Sequence, residues 1–205
     1  SYAEGSQHHF LIVCPTSVIY HWQEKLQHFL PGLRVCTFYG TKRSLEAFHQ
    51  HYDILLTSYG ILRNEQELLA KVPFEIAIFD EIQIAKNQFS RVYAALTRLK
   101  VQMKVGLTGT PIENHLRELK SLFDITLPSY MPSEHDYREF FIRPIEKEHD
   151  GRRKELLNRL IRPFVLRRKK EDVLKELPEK IEEIAYCDLM PYQQQLYTEV
   201  LQQRR

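Results

Sequence analysis

The nine residues EIAIFDEIQ, from Glu75 to Gln83, decide how this chain folds. The apolar run ends abruptly at two neighbouring carboxylates, Asp80 and Glu81. Such a run predicts a strand buried on both faces of a parallel sheet. A carboxylate at the end of such a strand can hold Mg²⁺, usually through water, and a second one beside it can deprotonate an attacking water. An acidic turn that caps the next helix gives the same local pattern, so this segment alone leaves both interpretations open.

Short apolar runs and helical patterns alternate on either side of this segment. Further strands are predicted over 10–14, 34–39, 53–59 and 104–108. Apolar residues at helical spacing predict helices over 17–30, 90–99 and 113–124. Trp22 and Phe29 share one such apolar face, so we interpret both as core contacts. This alternation favours right-handed crossovers, and the expected fold is an α/β doubly wound, mostly parallel sheet with helices on both faces.

Unusual residues follow four of the predicted strands. They are Pro15-Thr16-Ser17, Thr57-Ser58-Tyr59, Asp80-Glu81 and Thr108-Gly109-Thr110-Pro111. The carboxyl ends of parallel strands share one edge of a sheet, where ligands normally bind, so hydroxyls, acids and a glycine are predicted to meet there. An ordinary Gly-Thr-Pro turn also explains LTGTPIEN, from Leu107 to Asn114. Its position about 27 residues after the acidic pair nevertheless favours a nucleotide site.

The pattern changes after Leu127. A polar, helical piece without convincing strands is predicted over 128–162, a further strand over 163–166, and a last helix that Pro191 opens. Basic residues concentrate between Arg143 and Lys170, with eleven Lys and Arg against four Asp and Glu, a local balance of +7 in a chain of net charge +2. A basic face for a polyanion and a solvated basic helix both explain this asymmetry.

Cysteines, histidines and overall hydropathy indicate a soluble intracellular protein. The three cysteines, Cys14, Cys36 and Cys187, show no paired spacing and are interpreted as reduced thiols. The histidines lack a metal-binding pattern and are expected to be exposed. No apolar run approaches the roughly 18 residues of a membrane span, and the first nine residues do not resemble a signal peptide.

These motifs together resemble a known family. DEIQ is similar to the DExx box, and LTGTPIEN to the third motif, of superfamily-two helicase-like ATPases. LRRKKEDVLKELPEK, from Leu166 to Lys180, resembles the signature that separates Swi/Snf ATPases from the rest of that superfamily. Four other segments fit the order of that family, namely CPTSVIYHW (motif Ia), TFYGTKR, TSYGIL (motif Ib) and DLMPYQQQLY. The resemblance covers nearly the whole chain.

The resemblance implies a RecA-like first lobe of a DNA-dependent ATPase. Its implied parts are a lobe core over 1–127, a basic helical protrusion over 128–162, a final strand and family signature over 163–180, and a connector toward a second lobe over 181–205. The implied cofactors are ATP and Mg²⁺. Double-stranded DNA and the second lobe are the implied partners of a protein that is expected to be a monomer. It would lie in the nucleus of a eukaryote or the nucleoid of a prokaryote, without a membrane partner.

Roles are implied for individual residues as well. Asp80 would coordinate Mg²⁺, Glu81 would activate water, and Gln83, where many relatives have histidine, would couple the nucleotide to the third motif. The coupling group would be Thr108, Gly109 and Thr110. Contacts to one strand of duplex DNA would come from Pro15, Thr16, Ser17, Thr57, Ser58 and Tyr59. Arg167 and Arg168 would anchor the lobe or touch DNA, and a salt-bridged strand edge explains them equally well. The basic group Arg152, Arg153 and Lys154 is a further candidate for backbone contact.

Besides Gln83, the sequence departs from the family pattern in two respects, and the resemblance implies a first lobe truncated before motif Ia and before the second lobe. The glycine-rich loop G-x-x-x-x-G-K-[ST], which cradles phosphates, does not occur in these 205 residues. The family also takes an arginine finger from the second lobe, and losing such a finger costs about 10³–10⁵ in rate. We therefore expect this fragment alone not to hydrolyse ATP and to bind nucleotide weakly at best.

Two other functions compete with a DNA motor. A catalytically inactive lobe that serves as a binding or assembly module would explain the missing loop, if the gene itself lacks that loop. Sequence upstream of Ser1 would separate these two hypotheses. An RNA helicase is the second alternative, but the DEIQ tetrad and the Leu166 to Lys180 signature argue against it.

Overall fold

The computed structural model describes residues 8–41, 43–46, 48–109, 116–168 and 189–202. Its strands form a five-stranded sheet in the order β2-β3-β1-β4-β5, with every neighbouring pair parallel. The strands are β1 (Phe10–Cys14), β2 (Val35–Thr37), β3 (Ile54–Ser58), β4 (Phe74–Phe79) and β5 (Val101–Gly106). The predicted parallel α/β fold is therefore confirmed.

Successive residues of the central strands point to opposite faces of the sheet and feed two separate cores. In β1, Leu11 and Val13 belong to one core, whereas Ile12 and Cys14 belong to the other. This period of two explains why β1 contains no polar residue, since that strand is buried on both faces.

Helices cover both faces of the sheet. One face is covered by α1 (Ile19–Phe29), which follows a 3-10 turn over Thr16–Val18. The core of the other face contains residues of α2 (Phe48–His51), α3 (Tyr59–Asn64), α4 (Gln66–Leu69), α5 (Arg91–Arg98) and α6 (Leu116–Thr126). Ser58 and Ser90 cap α3 and α5, because each hydroxyl oxygen accepts a hydrogen bond from a backbone N–H three residues later.

The predicted helical piece is helical in the structure. It contains α7 (Glu134–Tyr137), a π-helical turn over Arg138–Ile142, α8 (Arg143–Lys147) and α9 (Gly151–Ile161). Tyr137 and Phe141 are buried, and Asp150 caps α9 by accepting from two backbone N–H groups of its first turn. The first compact unit of the chain ends at Leu160, so it includes most of this piece.

The second compact unit runs from Ile161 to Arg205 and is described only in part. A strand was predicted over 163–166, but Arg162–Phe164 form a 3-10 turn and no strand follows in the described residues up to Arg168. Proline lacks an N–H for a ladder hydrogen bond, and its fixed φ also suits a helical turn. The final helix, α10 (Pro191–Gln202), opens at the predicted proline. The rest of the family signature lies outside the described residues, and the four-part division of the chain stays a prediction.

Two expectations about single side chains were wrong. Phe29 is 69% exposed and packs edge-on against the ring of His28, so it is no core residue. His9 was expected at the surface but is buried, and its Nε2 lies 3.2 Å from Nδ1 of His49. Burial, and then the neighbouring His49, lower the pKa of His9.

Two of the three cysteines lie in the described residues and are free thiols. Cys14 is buried and Cys36 is partly buried, whereas Cys187 lies outside the described part. Burial, and then the nearby Asp80, raise the pKa of Cys14 to about 12, so this thiol is inert at neutral pH. None of the described helices is long and apolar enough to cross a membrane.

Candidate functional site

Four strand ends meet at one edge of the sheet and bring the predicted acidic pair beside the third motif. Phe79, the last residue of β4, is in register with Val13 on one side and Gly106 on the other. Two backbone hydrogen bonds continue this register beyond the strands. The N–H of Asp80 donates to the carbonyl of Val13 over 2.8 Å, and the N–H of Leu107 donates to the carbonyl of Phe79 over 2.8 Å. The turns after β1, β4 and β5 therefore lie side by side.

Asp80 is held at three points. Besides its N–H, its carbonyl oxygen accepts a hydrogen bond of 2.7 Å from the hydroxyl of Tyr59. Its carboxylate Oδ2 accepts one of 2.8 Å from the indole Nε1 of Trp22. Among the described residues, the second carboxylate oxygen, Oδ1, has no hydrogen-bond partner. The side chain is thus oriented by one oxygen while the other remains open to a ligand.

Glu81 has a left-handed backbone, with φ 52° and ψ 48°. A residue with a side chain adopts this conformation at a cost of about 1–3 kcal/mol, and it persists only where the surroundings enforce it. Here the conformation turns the chain back toward β5. The N–H of the next residue, Ile82, then donates to the carbonyl of Leu107 over 3.0 Å. The acidic pair is therefore fixed to the end of β5 as well as to β4.

Glycine at position 106 allows this turn to pack closely against the end of β5. A Cβ at Gly106 would lie 2.7 Å from Cδ1 and 3.1 Å from Cγ2 of Ile82, which is buried. The space that the missing side chain leaves is the space that Ile82 occupies. Glycine at the end of β5 thus allows the segment after the acidic pair to pack on the strand that leads into the third motif.

Gln83 and Gly109 both approach the carboxylate of Glu81. The amide nitrogen of Gln83 donates to Oε2 of Glu81, whereas a Cβ built on Gly109 would lie 4.0 Å from Oε1. The amide oxygen of Gln83 is buried and has no partner among the described residues. The predicted coupling residues Gln83 and Gly109 thus both neighbour Glu81. Thr108 is exposed at the same turn, and Thr110 lies outside the described residues.

The carboxylates of Asp80 and Glu81 supply only part of the oxygen ligands that a magnesium ion needs. Mg²⁺ binds hard oxygen ligands and keeps several waters, so one or two carboxylates suffice when phosphates supply the rest. Asp80 offers one open oxygen, and Glu81 lies next to it. Within the described ranges no group of three or more His, Cys, Asp or Glu side chains could hold a metal. The chemistry therefore fits Mg²⁺ that arrives with a nucleotide, and Asp80 is the residue that would hold it.

The two predicted DNA-contacting turns differ in exposure. After β1, Thr16 and Ser17 are exposed on a 3-10 turn. After β3, the three predicted residues are buried and have internal partners. The hydroxyl of Thr57 donates to the carbonyl of Phe38 over 2.8 Å, and that of Ser58 caps α3. The DNA role of these two hydroxyls stays a prediction, and the structure gives both of them a structural role.

Basic candidates lie in both compact units. On α9, Arg152 and Lys154 are exposed, whereas the guanidinium of Arg153 lies 3.7 Å from the ring centroid of Phe140. Arg167 and Arg168 are exposed in the second unit. Their contact with DNA stays a prediction.

Sequence reasoning missed the role of Trp22. We predicted a core residue, and its ring does pack in the core beside α1, but its indole N–H also binds Asp80. The two residues are 58 positions apart, so no local pattern joins them. The only available signal was general: a partly buried indole N–H usually finds an acceptor.

Comparison with known proteins supports the family resemblance. The sequence profile of the SNF2-related domain family matches residues 2–205. YwqA of Bacillus subtilis, named as an ATP-dependent helicase/translocase, is 39% identical over 197 residues. That alignment covers 93% of this chain and 21% of YwqA. The TATA-binding protein-associated factor mot1 of Schizosaccharomyces pombe is 33% identical over 207 residues, covering 94% of this chain and 11% of mot1.

A solved structure extends the comparison to three dimensions. The Sulfolobus solfataricus SWI2/SNF2 ATPase core in complex with double-stranded DNA superposes with a TM-score of 0.74 at 35% identity. The match covers 96% of this chain and 42% of that chain. The chain thus spans a tenth to a fifth of the length of the two sequence relatives, and less than half of the solved ATPase core.

Proposed function

The chain belongs to the SNF2-related family, and we propose that the full-length protein is an ATP-driven translocase on double-stranded DNA. This chain would supply most of its first ATPase lobe. One observation carries the proposal: the Asp80-Glu81 pair lies at the carboxyl end of β4, fixed by backbone hydrogen bonds to both β1 and the end of β5. That is the edge where doubly wound sheets bind phosphate ligands.

The two carboxylates have different surroundings, and we assign them different tasks. Asp80 is held by Trp22 through one oxygen, so its other oxygen would bind the magnesium of a Mg·ATP complex. A magnesium ion held there by Asp80 would supply positive charge to offset the negative charge of the phosphates. Glu81 accepts a hydrogen bond from Gln83 through Oε2, which leaves Oε1 to orient and deprotonate the attacking water.

Gln83 would couple the state of the nucleotide to the third motif. Its amide binds Glu81 on one side, and its buried oxygen has no partner in the described part of the chain. A water or a group of the third motif would satisfy that oxygen. Since Gly109 lies against the same carboxylate, a change at Glu81 would reach the β5 turn directly.

DNA would bind next to this edge. The exposed hydroxyls of Thr16 and Ser17 suit contacts to phosphate oxygens, which position a protein on DNA without reading its sequence. A second lobe of the same full-length protein would close over the nucleotide and supply an arginine finger. Because DNA is its proposed partner, we place the full-length protein in the nucleus of a eukaryote or the nucleoid of a prokaryote. We propose that it acts as a monomer. We also propose that this 205-residue chain alone does not hydrolyse ATP, since its sequence contains no G-x-x-x-x-G-K-[ST] loop.

ATPase assays on the full-length protein test the proposal. The rate should rise with double-stranded DNA well above the rates with single-stranded DNA or none. Glu81→Gln should abolish the stimulated rate, whereas the matched control Glu67→Gln, at an exposed position of α4, should not. A wild-type protein without ATPase activity, but with intact binding of DNA or protein, would instead favour the inactive binding module.

A further inference from the structure

Two hydrogen bonds tie Asp80 to helices on opposite faces of the sheet. The indole of Trp22, on α1, donates to the carboxylate over 2.8 Å. The hydroxyl of Tyr59, on α3, donates to the backbone carbonyl of the same residue over 2.7 Å. Neither side chain has a part in the chemistry assigned above. The helix α1 directly follows the exposed turn for which we propose contact with DNA.

Both donors are suited to a fixed position. Tyr59 is only 5% exposed, and its hydroxyl donates to a backbone carbonyl, which can only accept. The indole N–H of Trp22 can only donate, so it can orient a carboxylate oxygen but cannot compete with it for a cation. The Trp22 ring also packs in the core beside α1, which limits its freedom to turn.

The position of Trp22 on α1 links the exposed turn before that helix to Asp80. Trp22 lies three residues beyond Ile19, where α1 begins, about 4.5 Å along a helix that rises about 1.5 Å per residue. A short helix transmits displacement at one end to the other as a rigid body. Because α1 directly follows the exposed turn over Thr16–Val18, a movement of that turn that shifts α1 would displace the indole and the carboxylate oxygen that it binds.

We propose that Trp22 and Tyr59 are positioning residues for Asp80, and that Trp22 transmits DNA contact at the β1 turn to the metal-binding carboxylate. The proposal rests on the proposed function, because it needs both a DNA partner and a bound Mg·nucleotide. It deepens that function by naming the path by which DNA stimulates hydrolysis.

A spectroscopic experiment on the unmodified sequence tests the contact first. The full-length protein is labelled with 5-fluorotryptophan, and the Trp22 resonance is identified by its absence from Trp22→Phe protein. This ¹⁹F resonance should shift when Mg²⁺ and adenylyl-imidodiphosphate are added together, and again when duplex DNA is added. It should not shift with the nucleotide analogue in EDTA. A resonance that ignores Mg²⁺ while the analogue binds would overturn the proposal.

Enzyme kinetics test the role of the donors. Trp22→Phe keeps a ring but removes the N–H, and Tyr59→Phe removes only the hydroxyl. Trp22→Phe should raise the Mg²⁺ concentration for half-maximal ATPase about tenfold, the effect of one lost hydrogen bond to a charged group. Tyr59→Phe should raise it about fivefold, because its hydroxyl donates to a neutral backbone carbonyl. Trp22→Phe should also reduce stimulation by duplex DNA without weakening DNA binding. The matched control is Tyr20→Phe, also on α1 but 71% exposed, and it should change neither quantity.

The outcomes separate this proposal from the proposed function. If the wild-type ATPase depends on duplex DNA but Trp22→Phe keeps the normal Mg²⁺ requirement and stimulation, the positioning role is wrong and the translocase stands. If the wild-type protein itself shows no ATPase, both fail together. An equal loss in Tyr20→Phe would reduce the effect to general damage to α1 and also overturn the positioning role.

Discussion

Gly106→Ala should loosen the junction between the acidic turn and the end of β5. The added Cβ would lie 2.7 Å from Cδ1 of Ile82, closer than such contacts allow, and Ile82 is only 3% exposed. Overpacking against the buried Ile82 costs about 1–3 kcal/mol, although Gly106 itself is exposed, and the loss of glycine's freedom in the unfolded chain offsets about 0.4–1 kcal/mol. The free energy of unfolding should therefore fall by about 1 kcal/mol, and by no more than about 2.6 kcal/mol.

A double-mutant cycle isolates the contact. Ile82→Val removes Cδ1, the atom nearest to the new methyl group, and alone costs about 0.5–1.5 kcal/mol. In that background Gly106→Ala should cost about 1 kcal/mol less than in the wild type, since neighbours in contact couple by such amounts. Urea unfolding of the chain, followed by the fluorescence of Trp22, its only tryptophan, measures all four free energies.

The effect of replacing any glycine by alanine needs a control. Gly60→Ala changes an exposed helical position whose new Cβ would lie 3.9 Å from the nearest other atom, so it should be neutral or stabilising. If Gly106→Ala unfolds at the wild-type urea concentration, or if its cost simply adds to that of Ile82→Val, the close packing of the two segments is wrong.

Three further predictions concern DNA contact and pH. Thr57→Val should cost about 1 kcal/mol of stability through its buried hydrogen bond and leave DNA affinity unchanged, whereas Thr16→Val should weaken DNA binding and leave stability unchanged. The free energy of unfolding should fall as the pH drops below about 6.5. Burial, and then a neighbouring histidine, keep His9 neutral in the folded state, whereas His9 in the unfolded state takes up a proton. His9→Gln should therefore make the free energy of unfolding depend less steeply on pH. Reversing the charges of Arg152 and Lys154 should reduce the slope of log affinity against log salt by about 2 in DNA-binding titrations.

Each of these has a contradicting result. A loss of DNA affinity in Thr57→Val, at unchanged stability, would show that this hydroxyl faces the duplex. An unfolding free energy of His9→Gln that keeps the wild-type pH dependence would assign the titration to other groups. An unchanged salt slope would remove α9 from the DNA interface.

The central strands were predictable because both of their faces are buried. An uninterrupted apolar run is the direct consequence of that burial, and β1, β3 and β4 were located within a residue or two of their bounds. The edge strand β5 was placed over 104–108, three residues late, since it runs over Val101–Gly106. Gln102 and Met103 are exposed on this strand, so its beginning reads as polar and irregular.

The site was predictable in its position but not in its contacts. The end of β4 fixes where Asp80 lies, and the parallel strand order fixes its neighbours. The partner Trp22 belongs to a helix 58 residues earlier, and only the packing of that helix brings the two together. Hydroxyl-rich turns were ambiguous for a similar reason. Thr16 and Thr57 each belong to a hydroxyl-containing segment at the end of a predicted strand. Thr16, however, is exposed on a 3-10 turn, whereas Thr57 lies within the buried strand β3.

A structure of the full-length protein with Mg²⁺, adenylyl-imidodiphosphate and duplex DNA is the most direct test of the central claim. The metal should lie about 2.1 Å from a carboxylate oxygen of Asp80, or be joined to it through a single water, with Glu81 facing the terminal phosphate. A nucleotide bound at another edge of the sheet, with no metal near Asp80, would contradict the account.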